Sequence, residues 1–129
     1  MENSLACTDA VSLAPTGCAA HNIKGYTWQN ALSKSEATTK DTRYVLGQQT
    51  INKLAAKFNG IKLVVIDEVS MIDQSTLFEI HVRLLAPKLA TTTDPVEREC
   101  IKREERPFGG THILFCGDFY QLKPVGGRL

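Results

Sequence analysis

Between Lys62 and Glu68 the chain reads Lys-Leu-Val-Val-Ile-Asp-Glu, an unbroken apolar stretch that ends in two adjacent acids. Leu63 to Ile66 is rich in β-branched residues and does not alternate with polar ones, as expected of a strand covered on both faces. Such strands belong to parallel sheets flanked by helices, and open α/β sheets bind their ligands beyond the carboxyl ends of the strands. Asp67 and Glu68 sit at that end, where they would repel each other unless something uses them. A metal held by one carboxylate, beside a water polarised by the other, is one economical explanation. A solvated Asp-Glu at a strand end or turn is the plain alternative, and the dipeptide alone does not separate the two.

The 129 residues suffice for one small domain with a core and are too few for two. Hydrophobic residues make up 43% and charged residues 22%, the balance of an ordinary soluble globular chain. With a formal net charge of +1, no overall field points to nucleic acid, so a DNA partner has to be read from local sites. Cys7, Cys18, Cys100 and Cys116 are scattered, with no Cys-x-x-Cys pair and no histidine cluster to complete a zinc site. Incidental or buried thiols in a reducing compartment fit that pattern. No apolar stretch approaches membrane-spanning length, and Met1-Glu2-Asn3-Ser4 lacks the basic start and apolar core of a signal peptide. The expectation is an intracellular, soluble chain with no membrane partner.

Ala10 to Ala14 reads as a short strand closed by the turn-forming Pro15-Thr16-Gly17, followed by small residues and a loop containing Gly25. Thr27 suits the cap of a helix through Trp28, Ala31 and Leu32, and the polar stretch Lys34 to Thr42 reads as a loop. Ile51, Leu54, Ala55 and Phe58 form a helical stripe that Asn59-Gly60 ends. The strand over 61–67 follows. Asp73 is a good N-cap for a helix showing Leu77, Ile80, Leu84 and Leu85, which Pro87 should bend or finish. Thr91-Thr92-Thr93 reads as a linker. Asp94-Pro95-Val96-Glu97 has the pattern of a helix start, and the mixed charges from Glu97 to Arg106 suit a solvated helix face. His112 to Cys116 forms a third apolar strand, closed by Gly117-Asp118. Strand, helix, strand, helix, strand predicts an α/β domain with a thin, three-stranded parallel sheet. All three strand ends then converge on one crevice.

Those converging ends carry a resemblance. Ala14-Pro15-Thr16-Gly17-Cys18-Ala19-Ala20 with Gly25-Tyr26-Thr27 resembles motif Ia and its extension in superfamily-one DNA helicases. Val65-Ile66-Asp67-Glu68-Val69-Ser70-Met71-Ile72 resembles motif II, the Walker B segment. Phe108-Gly109-Gly110 followed by Gly117-Asp118-Phe119-Tyr120-Gln121-Leu122-Lys123-Pro124-Val125 resembles motif III. Together they look like the petite integration frequency (Pif-type) family, ATP-dependent DNA helicases whose branch includes Helitron-type transposon helicases. The resemblance spans about Val11 to Gly127 and implies a partial RecA-like P-loop NTPase domain, residues 1–129 holding motifs Ia to III.

For the residues, the resemblance implies that Asp67 holds Mg²⁺ through water and that Glu68 orients and deprotonates the water attacking the γ-phosphate of ATP. It implies that Gln121 contacts that phosphate or water and relays hydrolysis to the DNA side. Thr16 and Gly17, with Thr27, would meet the backbone of single-stranded DNA. Each has a duller reading: a surface amide for Gln121, a turn for Thr16-Gly17. Trp28 reads as core rather than as a base-stacking platform. Ser70 and Met71 read as packing and capping residues, and His21, His81 and His112 have no partner pattern. Partners implied are single-stranded DNA, duplex junctions and ATP. The family-level location is the nucleus, with the mitochondrion as second choice.

The sequence departs from the family in one large respect. No Gly-x-x-x-x-Gly-Lys-Ser/Thr segment occurs, although its backbone N–H groups, lysine and hydroxyl would cradle the nucleotide. In the family's sheet, the strand before that loop pairs beside the one ending at Gly117-Asp118. The expectation is therefore a slice of a helicase, inactive by itself and poorly soluble because an apolar strand lacks one neighbour. Gln29 stands where the family usually has histidine, and Cys116 replaces a frequent glycine. Two alternatives stay open: a non-catalytic relic that binds single-stranded DNA or a protein, and another nucleotide hydrolase of the same fold. The Gly-Asp-x-x-Gln-Leu-x-Pro-Val block speaks against the latter.

Overall fold

The computed structural model describes residues 9–34, 44–103 and 106–118. Four strands form one sheet: β1 (Ala10–Ala14), β2 (Tyr26–Thr27), β3 (Leu63–Ile66) and β4 (His112–Phe115). The order is β2-β1-β3-β4 and every pairing is parallel. The sheet gains β2 over the three strands expected, because a two-residue strand has no sequence period to reveal it. Among the described residues five α-helices accompany it: α1 (Gly17–Asn22), α2 (Trp28–Ala31), α3 (Gln48–Lys57), α4 (Gln74–Thr91) and α5 (Pro95–Arg103).

Register settles which side chains share a face. Val11 lies beside Val64, Leu13 beside Ile66, and Val64 beside Ile113. These residues form the main core with Trp28, Leu32, Leu54, Ile72, Ile80 and Leu84. Val64 and Ile66 are fully buried on that face, while Leu63 and Val65 on the other are only half-buried. Burial on both faces is thus less complete than the apolar run suggested. On the second face, Ala19 and Ala20 of α1 pack against Ala14 in a separate small cluster. At one of the two edges of the sheet among the described strands, β4 exposes Leu114 and Phe115.

Local chemistry explains most helix ends. Asp73 Oδ1 accepts from the Thr76 amide at 2.7 Å and caps α4, and Asp94 Oδ1 accepts from Val96 N at 3.0 Å ahead of α5. The stripe of α3 buries Leu54, and the Phe58 amide closes the helix on Leu54 O. Two expectations are corrected. The small residues after Pro15-Thr16-Gly17 are not irregular: they form helix α1, capped by Thr16, a six-residue element too short to leave a periodic signal. Pro87 does not end α4, which continues to Thr91 with Pro87 buried inside it. Thr91 Oγ1 donates to Pro87 O and Thr92 Oγ1 to Lys88 O, so threonines expected to form a linker satisfy last-turn carbonyls instead.

The Pro107–Gly110 turn docks on α4. A Cβ on Gly109 would come within 3.0 Å of Lys88 Cβ, so only a residue without a side chain fits there. Phe108, with φ at +55°, donates its amide to His81 Nδ1 at 2.8 Å. The Lys34–Thr42 loop lies outside the described residues except for Lys34.

Candidate functional site at the carboxyl edge of the sheet

Asp67 leaves β3 level with the ends of its neighbours. Its amide donates to Leu13 O at 2.9 Å, and on the other side Cys116 N donates to Ile66 O at 2.8 Å. The carboxylate turns back on its own chain, where Oδ1 accepts from Glu68 N at 2.9 Å. That contact fixes one oxygen and leaves the second for solvent or a metal-bound water. Among the described residues no group of three or more His, Cys, Asp and Glu assembles a metal cage. A donor set of one carboxylate plus water suits Mg²⁺, which keeps most of its hydration shell.

Glu68 sits in the left-handed region, φ 52° and ψ 46°. For a residue with a side chain that conformation costs about 1–2 kcal/mol, and such outliers gather at functional sites. The chain then enters a short 3₁₀ turn, Val69–Met71, in which Met71 N donates to Glu68 O. Two interactions hold the turn from β4. Val69 N donates to Cys116 O at 3.0 Å, and Gly117 lies so close that a Cβ there would stand 2.8 Å from Val69 N. Ser70, in the middle of this turn, is fully buried and its Oγ has no hydrogen-bond partner.

Thr16 follows the end of β1 and Thr27 is the last residue of β2, the two strands pairing with Ala14 opposite Thr27. Both hydroxyls cap the helix that follows: Thr16 Oγ1 accepts from Ala19 N at 3.2 Å, Thr27 Oγ1 from Asn30 N at 3.3 Å. An accepting hydroxyl still carries its own proton to donate outward. Gly17 is exposed, with nothing within 4 Å of where a side chain would begin. Gly25 is the opposite case, pressed so tightly on β1 that a Cβ would overlap the Ser12 carbonyl oxygen.

Of the residues singled out from sequence, Asp67, Glu68, Thr16, Gly17 and Thr27 share the carboxyl edge of the sheet. Gln121 lies outside the described residues. Trp28 is core, as expected. Two roles went unread in the sequence. His81 accepts the Phe108 amide, a partner that only folding supplies. Glu79 and Arg83 are buried and paired at 3.4 Å; their spacing of four beside the apolar stripe of α4 was the available signal. Among the described residues, cavities also lie away from this edge: one of about 230 Å³ beside Val11, Tyr26 and Phe58, an open groove of about 400 Å³ along Phe78, His81 and Phe108, and an open depression of about 580 Å³ beside Ser33, Lys53 and Lys57.

Comparison with known proteins matches most of the chain. The family model described as PIF1-like helicase matches residues 3–128. The ATP-dependent DNA helicase PIF1 of Saccharomyces cerevisiae is 34% identical over 116 residues, covering 87% of this chain and 11% of that protein. An unliganded Pif1 from Bacteroides sp superposes with a TM-score of 0.60 at 25% identity, covering 94% of this chain and 24% of that one. A Bacteroides Pif1 bound to ssDNA gives 0.56 at 25% identity, covering 91% and 24%. The four-stranded parallel sheet with its helices is a RecA-like α/β fold. The chain therefore spans 11% of the length of the yeast relative and 24% of each of these solved chains.

Proposed function

Because the chain belongs to the PIF1-like helicase family, we propose that its 129 residues are the motif Ia-to-III part of the motor domain of an ATP-dependent DNA helicase. The parent would couple ATP hydrolysis to movement along single-stranded DNA and to opening of duplex junctions. One observation carries the reading: Asp67 and Glu68 leave the centre of a parallel sheet whose neighbouring strand ends bear Thr16 and Thr27 on one side and Gly117-Asp118 on the other. Nucleotide chemistry and strand contact then share one edge.

In this reading Asp67, through the oxygen not engaged by Glu68 N, holds a water of the Mg²⁺ shell. The ion supplies charge neutralisation for the β- and γ-phosphates of ATP. Glu68 orients and deprotonates the attacking water, its carboxylate held by a backbone that the Val69–Cys116 hydrogen bond ties to β4. Gln121, three residues beyond Asp118, senses the γ-phosphate. Thr16 and Thr27 donate their hydroxyl protons to phosphate oxygens of the strand, and the exposed backbone of Gly17 lets that strand approach. A solved relative bound to ssDNA supports that class of ligand.

The 129 residues hold no Gly-x-x-x-x-Gly-Lys-Ser/Thr run, so by themselves they hydrolyse no ATP. The test is ATP turnover by the full-length chain that carries these residues, with and without a single-stranded oligonucleotide. Strand-stimulated turnover that Glu68→Gln abolishes supports the reading. Turnover indifferent to DNA would move the protein to another class of RecA-like ATPase. Binding of single strands without any turnover would support the second reading, a non-catalytic remnant, which rests on the same Thr16 and Thr27 edge.

A further inference from the structure

The carboxyl edge of the sheet does not use a buried charged pair that lies among the described residues. Glu79 is 1% exposed and Arg83 3%, on consecutive turns of α4 and deep in the fold. Glu79 accepts from Arg83 Nε at 3.4 Å and from Lys34 Nζ at 3.2 Å. Arg83 Nη1 also donates to Leu32 O, the carbonyl just past α2, at 3.1 Å. Lys34 Nζ stands 4.8 Å from the centre of the Trp28 ring, and Trp28 is the first residue after Thr27.

Burying such a cluster is a poor way to gain stability, because desolvation cancels most of the attraction and apolar side chains of similar volume would serve as well. What the cluster does supply is registry. The four residues of α2 are too few to hold a helix unaided, so tertiary contacts decide its orientation. Lys57 Nζ takes the carbonyls of Asn30 and Ala31, Arg83 takes that of Leu32, and Lys34 clamps the Trp28 ring. Two of those three clamps end on Glu79. That residue lies in the second turn of α4, the helix that Asp73 caps shortly after the Glu68 loop.

We infer that Glu79, through Arg83 and Lys34, is a positioning residue that ties Thr27 and its short helix to the helix following the catalytic acid, and so transmits strand occupancy to ATP turnover. Strand contact that shifts α2 pulls on Leu32 and Trp28. The charged fork passes that displacement to α4 without an intervening flexible segment. An apolar contact at the same place would let the two elements slide. The inference rests on the helicase reading above and deepens it.

The experiment uses the full-length chain, an oligothymidylate, and the double variant E79L/R83M, which fills the same space without charge. Expected is an unchanged melting temperature and unchanged basal turnover, with the ratio of strand-stimulated to basal turnover lowered about tenfold, within the usual span of coupling between sites. A ratio equal to the wild type in a stably folded double variant overturns the inference, since a purely structural role would leave that ratio alone. Should the double variant not fold, R83K keeps the charge beside Glu79 but cannot fork to Leu32 O. A lowered ratio there supports the link and an unchanged one refutes it. A wild-type chain that shows no stimulation at all fails the helicase reading instead, a separate result.

Discussion

Gly117 and Val69 meet backbone to backbone, so closely that a single added methyl at 117 would lie 2.8 Å from the Val69 amide nitrogen. That nitrogen is engaged with Cys116 O, and the residue before it is Glu68. Replacing Gly117 with alanine should therefore push the acid-bearing loop off β4. The expected cost is about 1–3 kcal/mol of stability, as for other overpacked sites, with a loss of ATP turnover in the full-length chain larger than that cost explains. Thermal melts alongside ATPase rates test it; a variant with wild-type turnover would show the contact to be incidental.

Glu68→Gln keeps the size and hydrogen-bonding shape of the side chain but removes the base. Turnover should fall by about 10²–10⁴-fold, the usual worth of a positioned general base, while nucleotide affinity holds. Measuring nucleotide binding by fluorescence beside steady-state rates separates the two. Equal loss of both would reassign Glu68 to binding.

Thr16→Ala and Thr27→Ala each delete a helix N-cap and a proton donor. Each should cost about 0.5–2 kcal/mol of stability and weaken binding of single-stranded DNA. Serine at either position retains both functions and should restore affinity. If alanine variants bind the oligonucleotide as tightly as the parent, the hydroxyls cap helices and nothing more.

Glu79→Ala leaves Arg83 buried beside a vacancy. Removing one partner of a buried pair costs about 3–5 kcal/mol, so this variant should unfold at much lower denaturant than E79L/R83M. A chemical denaturation series comparing the two decides it: similar midpoints would mean that water reaches the cluster.

Gly25→Ala should be the least tolerated of these changes, because its Cβ would overlap the Ser12 carbonyl oxygen within the sheet. Neither group can move without breaking β1 from its neighbours. The expected outcome is loss of soluble, cooperatively folding protein, read by circular dichroism and melting.

What could be read from the chain and what could not divide along physical lines. Leu63 to Ile66 announced a buried strand because four apolar residues in a row have few other uses, and the acids after it announced the working edge. Asp73, Asp94 and Thr27 were legible as caps because their side chains act on neighbours three residues away or fewer. The errors fell where tertiary contacts override local preference. Pro87 stays inside α4 because it is buried there and threonines hold the carbonyls beyond it. Tyr26–Thr27 is a strand only because β1 lies alongside. Glu79, Arg83 and Lys34 come from segments about fifty residues apart, and only closure of that loop makes them one cluster.

The all-parallel pairing has a kinetic side. Ala10 waits for Leu63, and Leu63 for His112, so each principal pairing closes a loop of about fifty residues before any strand contact rewards it. α3 can begin to wind from local sequence while the edge of β1 that β3 will occupy is still open, as non-local contacts come late. A chain emerging from the ribosome therefore carries the inner edge of β1 unpaired until β3 arrives, and the interval between those two events is when that edge is most exposed to association with other chains.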